Sequence, residues 1–326
     1  MKSFTVTKND AGQRLDKFIS KAVPMLPGGL MYKYIRIKRI KINGGRAQIS
    51  TRLSEGDKVD MYINDEFFEK KFNDYDFMRA SKELTVIYED GNIMILDKKQ
   101  GLLSHPDEGE YNDTLITRVK RYLYEKGEYD PEDENSFSPA LVNRIDRNTR
   151  GIVIAAKTAE ALRILNEKMK KRELHKLYLC VVHGVPDKGK IQPDGSYLME
   201  DWLVKNEQKN MVKIYKKQVE NSKDIRTKYR VLKVNEKDGL SLVEVELLTG
   251  RTHQIRAHFA YVGCPLLGDG KYGSNELNKK KGYKKQCLCS YKLTFDFTSD
   301  AGELEYLNGK SFAIDDVWFE REFDRI

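Results

Sequence analysis

One acid near the middle of the chain stands among three arginines. In the run from Asn143 to Ala156, Asp146 is flanked by Arg144, Arg147 and Arg150, and Ile152 to Ala156 are entirely apolar. A carboxylate crowded by guanidinium groups at the mouth of a buried strand has two readings. It is part of a solvated ion-pair cluster, which stabilises little, or it is held ionised and aimed at a reacting centre, where it can serve as nucleophile or base. Two further segments carry groups able to work beside it. Tyr178 lies in the alternating run "HKLYLCVVHGV", and Arg251 lies at the turn in "LLTGRTHQIRAHF", where its side chain could point inward. Tyr178 also reads as ordinary core, the usual fate of a tyrosine in a strand.

The elements that would position these groups follow from periodicity. "LTVIYEDGNIMILDKK" has two apolar-rich runs about Asp90-Gly91, a hairpin signal. The apolar strand Ile152–Ala156 leads to Thr158, an N-cap for a helix whose Leu162, Leu165 and Met169 share one face. Asp146 therefore sits in a loop just ahead of a rigid strand–helix unit. In the next strand Leu177, Leu179 and Val181 take one face, and Tyr178, Cys180 and Val182 the other. "LSLVEVELL" reads as a strand and passes through Arg251 into a helix with Ile255, Phe259 and Val262 as its buried stripe. The stretch from Glu108 to Asn135 reads as a variable, charged insert.

The 326 residues, 40% of them hydrophobic, suit two or three domains. The formal net charge is +8 and its distribution is uneven. From Gln13 to Arg46 there are nine Lys or Arg and one acid, Asp16, whereas the tail beyond Phe295 is acidic. This basic block, with Arg36, Lys38, Arg39 and Lys41 at its centre, suits a polyanionic partner bound through phosphates. Its apolar spacing (Leu15, Phe18 and Ile19, then Leu30, Tyr34 and Ile37) predicts two short helices. Asn43-Gly44 predicts a turn between strands. The boundaries that follow are a small unit over residues 1–64, a charged linker over 65–83 and a larger domain over 84–326. The N-terminus lacks the apolar core of a leader peptide, and no uncharged apolar run approaches the ~18 residues of a membrane span. Four cysteines in so long a chain suit reduced thiols. A soluble, cytoplasmic and monomeric protein is expected.

Two resemblances add to this. "RLDKFI", a basic helix, "IKING" and "LSEGDKV", in that order, resemble the small RNA-binding domain called the alpha-L motif. "NRIDRNTRG", "KLYLCVVHG" and "GRTHQIRAHFAYVGCPLLGDGKYG" resemble the three sequence blocks of the RluA family of RNA pseudouridine synthases, over about Leu84 to Phe295. The resemblance implies an α+β fold: the alpha-L domain, then a catalytic domain with a mixed, mainly antiparallel sheet and flanking helices. It implies isomerisation of uridine to pseudouridine in RNA, foremost large-subunit ribosomal RNA, with no cofactor and no metal. On that footing Asp146 is the nucleophile, Arg251 its ion-pair partner, and Tyr178 a contact to the target base that assists proton removal. Arg144 would fill the space left by the everted nucleotide. Arg147 and Arg150 read as phosphate contacts or plain surface charge, and His253 reads as a group for packing and RNA-facing hydrogen bonds. Asn143, Ile145 and Arg150 depart from the family's usual His, Leu and small residue, and Arg150 would alter how RNA approaches.

Other chemistries are poorly supported. "GDGKYG" matches a dinucleotide-binding glycine pattern but lacks the strand before it. His253 and His258, with Cys287 and Cys289, are badly spaced for zinc. No GxSxG-like elbow occurs. The alternative that charge alone allows is a non-catalytic RNA-binding ribosome-assembly factor on the same fold, which would not need Asp146, Tyr178 and Arg251 together.

Overall fold

Two periodic patterns, one short and basic, one long and dominated by strands, build two units with separate cores. The computed structural model describes residues 1–69 and 75–325. The first unit contains β1 (Lys2–Thr5), α1 (Leu15–Ala22), α2 (Gly28–Arg36), β2 (Ile40–Ile42), β3 (Gly45–Arg46) and β4 (Lys58–Met61), its strands ordered β1-β4-β2-β3 and antiparallel. α1 buries Leu15, Phe18 and Ile19, as their spacing requires. α2 is rotated from the expected stripe: it buries Met31 and Ile35, while Leu30 and Tyr34 are half-buried and Ile37 is exposed. The helix ends at Arg36 and Lys38 turns left-handed (φ 64°), so Ile37 lies beyond the last turn. Asn43 and Gly44, both at positive φ, make the tight turn that joins β2 to β3.

Short 3-10 turns at Asp65–Phe68 and Asp76–Arg79 occupy much of the expected linker. Phe67 and Phe68 pack on the first core, and buried Phe77 packs on Tyr124 and Tyr129. The middle of that linker, residues 70–74, lies outside the described residues.

The second unit runs through β5 (Val86–Glu89), β6 (Ile93–Lys98), α3 (Leu115–Glu125), β7 (Ala140–Leu141), β8 (Arg150–Ala156), α4 (Ala159–Lys171), β9 (Leu174–His183), β10 (Lys190–Ile191), β11 (Tyr197–Asn206), β12 (Met211–Tyr215), β13 (Lys223–Asn235), β14 (Leu240–Leu247), α5 (Gln254–Tyr261), α6 (Asn275–Lys280), β15 (Leu288–Phe295), β16 (Ser311–Ala313) and α7 (Trp318–Glu322). One sheet is ordered β10-β11-β13-β14-β9-β15-β8-β6-β5, with β12, β16 and β7 added beside β11, β15 and β8. Among the described residues, only the β15–β8 strand pair of this sheet is parallel. The fold is α+β with a mixed, mainly antiparallel sheet.

Both faces of the sheet are covered, which is why β9 is buried on both sides despite its simple alternation. Leu179 and Val181 face a core with Leu165 of α4 and Phe319 of α7. Tyr178, Cys180 and Val182 face a second core with Val119 of α3 and Ile255 and Phe259 of α5. α3 lies inside the stretch read as a charged insert. Its Leu115, Ile116, Val119 and Leu123 form a helical stripe that the surrounding charges conceal in the sequence, and Thr114 caps it. The hairpin at Asp90 forms as expected, with Asp90 Oδ1 accepting from the backbone N–H groups of Asn92 (2.7 Å) and Ile93 (2.9 Å). Thr158 caps α4 through a 3.1 Å bond from the Ala161 N–H. Among the described residues no helix is long and apolar enough to cross a membrane.

Candidate active site

The Asp146 loop connects β7 to β8 and is tied down one group at a time. The Lys98 ammonium, fully buried at the end of β6, donates to the carbonyls of Lys99 (3.1 Å), Leu102 (2.7 Å) and Arg147 (3.1 Å). The Ser104 hydroxyl donates to the Ile145 carbonyl, Gln100 donates to that of Asn148, and Gln286 donates to the Thr149 hydroxyl. Asn143 bridges the loop base to β8, accepting from the Ile154 N–H and donating to the Ile152 carbonyl. Gly151 lets β8 pass against β15, because a Cβ there would lie 2.5 Å from the backbone nitrogen of Ser290. With its backbone groups engaged on both sides of Asp146, the loop aims the carboxylate from a rigid base.

Asp146 meets an arginine, but not the expected one. Arg251 is 39% exposed and lies 3.6 Å from Asp224. The partner is Arg256 on α5, whose Nη1 donates to Asp146 Oδ2 at 2.9 Å. Arg256 is only 9% exposed and is fixed from its other edge by Asp269, with bonds of 2.7 and 3.0 Å. The reason is local. Arg251 precedes the helix, and left-handed His253 (φ 54°) turns the chain before α5 begins at Gln254. Arg256 then falls on the inward side of a helix buried almost all round. Burial opposes its charge, but Asp269 and Asp146 outweigh this and keep the guanidinium protonated. Burial likewise raises the Asp269 carboxyl, yet Arg256 and the N–H groups of Lys271 and Tyr272 bring it below the usual range.

The remaining walls are formed by His253, Tyr272 and Tyr178. His253 Nε2 lies 3.8 Å from Asp146, and its Nδ1 is 2.9 Å from the Tyr272 hydroxyl. Burial pushes the imidazole below its ordinary value against the pull of Asp146, so it is neutral near pH 7. His253 lines the cavity beside Asp146. Tyr178 is buried, and its hydroxyl is pushed up to about 12 by burial, with the Asp146 charge adding to the shift. Asp146, Tyr178, Arg144, Arg251, His253 and Arg256 all line one cavity of about 550 Å³, within the size range of small-ligand sites.

The other expected residues divide into two groups. Arg144 is exposed on the cavity wall, and no ion pair engages it among the described residues. Arg147 is exposed but lies off the cavity, donating to the Gly101 carbonyl at 3.1 Å. Arg150, expected to affect RNA approach, is bonded to Asp97 at 2.8 Å and to the Asp316 carbonyl at 2.9 Å. Arg36, Lys38 and Arg39 are exposed and Lys41 half-buried, with no acidic partner among the described residues; Arg39 lies over Tyr34 and Lys41 over Tyr62. His258 is buried between Thr227 and Asp201, away from any metal-like grouping. Among the described residues, no cluster of three or more His, Cys, Asp or Glu could hold a metal ion.

Sequence reasoning missed Arg256, Asp269 and Lys98. A signal existed for the first two: an arginine inside the apolar stripe of α5, followed by an acid in "GDGKYG", leaves a buried charge in need of a partner.

Comparison with known proteins shows the family and the fold. Residues 92–261 match the family described as RNA pseudouridylate synthase. An uncharacterised RNA pseudouridine synthase of Mycoplasma genitalium is 32% identical over 296 residues, covering 90% of this chain and 88% of its own. Ribosomal large subunit pseudouridine synthase C of Rickettsia felis is 33% identical over 273 residues, covering 81% of this chain and 83% of its own. The solved structure of human RNA pseudouridylate synthase domain containing 1 has the same fold, with a TM-score of 0.54 at 20% identity over 72% of this chain and 84% of that one.

Proposed function

Since the chain belongs to the RNA pseudouridylate synthase family and isomerises uridine in RNA, we propose that Asp146 is its nucleophile, Arg256 the cation that holds it, and large-subunit ribosomal RNA its substrate. The observation that carries the reading is the Asp146–Arg256 ion pair on the wall of a cavity shared with Tyr178. The reaction breaks the bond from the ribose to N1 of uracil and forms one to carbon-5. Carbon-5 loses its proton and N1 gains one. Atoms and electrons balance without any carrier, so the site needs only a charged nucleophile, an enclosed space for the detached base and a route for one proton.

Tyr178 suits the face of an extracted base, which RNA-binding sites commonly hold by stacking. Because its hydroxyl stays protonated near neutrality, it is a hydrogen-bond donor to the base rather than a ready base itself. Arg144, exposed at the rim, takes the space that the everted uridine leaves; the extraction costs a few kcal/mol of stacking and pairing. The N-terminal basic face, resembling the alpha-L motif, adds affinity through phosphates without reading sequence. Large-subunit ribosomal RNA is favoured because it appears in the name of the Rickettsia relative.

Tritium release from large-subunit ribosomal RNA labelled at carbon-5 tests the proposal. Wild type releases tritium; Asp146→Asn releases none while keeping its melting temperature and RNA affinity. Release undiminished in Asp146→Asn would remove Asp146 from the chemistry. Release from transfer RNA but not from ribosomal RNA would overturn the substrate.

A further inference from the structure

The segment that ends α4 and opens β9, "KMKKRELHK", sorts its cations by direction. Lys168 is bonded to Glu173 at 2.7 Å, Lys171 to Glu167 at 2.6 Å, and His175 lies 3.3 Å from both Glu246 and Asp296. Lys170, Arg172 and Lys176 have no acidic partner among the described residues, and all three line the cavity that holds Asp146 and Tyr178.

Two details set Arg172 and Lys176 apart from an ordinary solvated face. Arg172 closes α4 in the left-handed conformation (φ 64°, ψ 32°), a position that glycine fills with least strain. An arginine there keeps a strained backbone together with a charge. Lys176 precedes Tyr178 by two residues and so shares its face of β9. It is half-buried, and burial alone pushes its ammonium down to about 8. An anion beside it would offset that penalty. The dipole of α4 draws cations to its C-terminal end, which accounts for Lys170 and Arg172. It does not account for Lys176 on the strand or for the convergence of all three on one cavity.

We propose that Lys170, Arg172 and Lys176 form a phosphate track that binds the backbone of the RNA strand beside the everted uridine and leads the base towards Asp146. The inference rests on the reading of this cavity as the isomerase site. The track and exposed Arg144 both line that cavity, so the strand carrying the uridine would be held by charge as its base turns inward.

The test compares wild type with the triple variant Lys170→Gln, Arg172→Gly, Lys176→Gln, with Arg172→Gly alone and with Lys171→Gln. The probes are a short fluorescent oligouridylate for binding and carbon-5-tritiated large-subunit ribosomal RNA for turnover. The plot of log affinity against log salt should fall in slope by about 0.7 for each phosphate no longer neutralised, about 2 for the triple variant, and KM should rise more than kcat falls. Arg172→Gly relieves backbone strain, so its melting temperature should hold or rise while its salt slope falls, which separates binding from folding. Lys171→Gln removes the same charge from the same helix end, away from the cavity, and should leave the slope unchanged. An unchanged slope in the triple variant, or an equal fall in Lys171→Gln, overturns the track while leaving the isomerase reading intact. A wild type that releases no tritium but shows the predicted slopes overturns the isomerase reading and leaves the track.

Discussion

In the N-terminal unit, Arg36, Lys38 and Arg39 stand at the surface with half-buried Lys41 beside them, none with an acidic partner among the described residues, and Arg39 and Lys41 lie over Tyr34 and Tyr62. In the cavity of the second unit, Arg256 is buried and bonded on two edges, and Asp146 sits in a loop whose carbonyls are held by Lys98, Ser104 and Gln100. The first arrangement leaves charge free to meet a polyanion of any sequence and costs little to keep exposed. The second pairs Asp269, Arg256 and Asp146 in sequence, so that the Asp146 carboxylate is held in one direction. Phosphate attraction tolerates flexible side chains, whereas attack on one atom requires a fixed geometry.

The largest effect that would sharpen this contrast lies within α5 and the turn before it. Arg256→Lys should lower kcat by about 10²–10³, the scale for losing one preorganised charged donor, and should also destabilise the fold by leaving Asp269 without its two-point partner. Arg251→Lys should keep kcat within a few-fold, because Arg251, though on the cavity wall, is paired with Asp224 and not with Asp146 among the described residues. Single-turnover tritium release, with melting curves alongside, ranks the two. The reverse ranking would break the assignment of Arg256.

Next in size is a pH effect on stability. Burial holds Lys98 at about 7, against 10.5 for a free lysine, with Asp146 and Asp97 resisting the shift. Between those values the unfolded chain binds the extra proton, so this group makes stability rise with pH through that window. Below about 7 both states carry the proton and the dependence ends. Chemical denaturation at neutral and alkaline pH should therefore show a gain in wild type that Lys98→Met loses. Lys98→Met also leaves three loop carbonyls without their donor, at roughly 1–3 kcal/mol each if they stay buried, and should lower turnover through a loosened Asp146. An equal pH slope in both proteins would show that Lys98 is not the buried cation described.

The smallest effect concerns the exposed face. Replacing Arg36, Lys38, Arg39 and Lys41 by Gln should reduce the salt slope of RNA binding by about 0.7 for each phosphate these cations neutralise and raise KM more than it lowers kcat. A fall in kcat at saturating RNA with KM unchanged would mean that the first unit takes part in forming the site, not only in capture.

Much of the framework was legible because it depends on local pattern. The alternation of β9, the cap at Thr158, the hairpin at Asp90 and the turn at Asn43-Gly44 are each set by neighbours a few residues apart. α3 was not legible, since its apolar stripe is diluted by charge. The choice between Arg251 and Arg256 was not either. Both lie in "GRTHQIR", and side-chain direction there depends on the left-handed turn at His253 and on where α5 starts. "GDGKYG" was set aside as a failed nucleotide motif, yet Asp269 within it completes the charge network.

Local pattern is enough to set the order of elements, the basic character of the first unit and the position of one acid before a strand. These rest on periodicity and short-range turn chemistry, which act within a few residues. Long-range packing selects which arginine meets Asp146, which lysine clamps its loop, and which cavity cations lack an acidic partner among the described residues. Those pairings join groups more than forty residues apart, and no local pattern encodes which of two nearby charges a folded chain will turn inward.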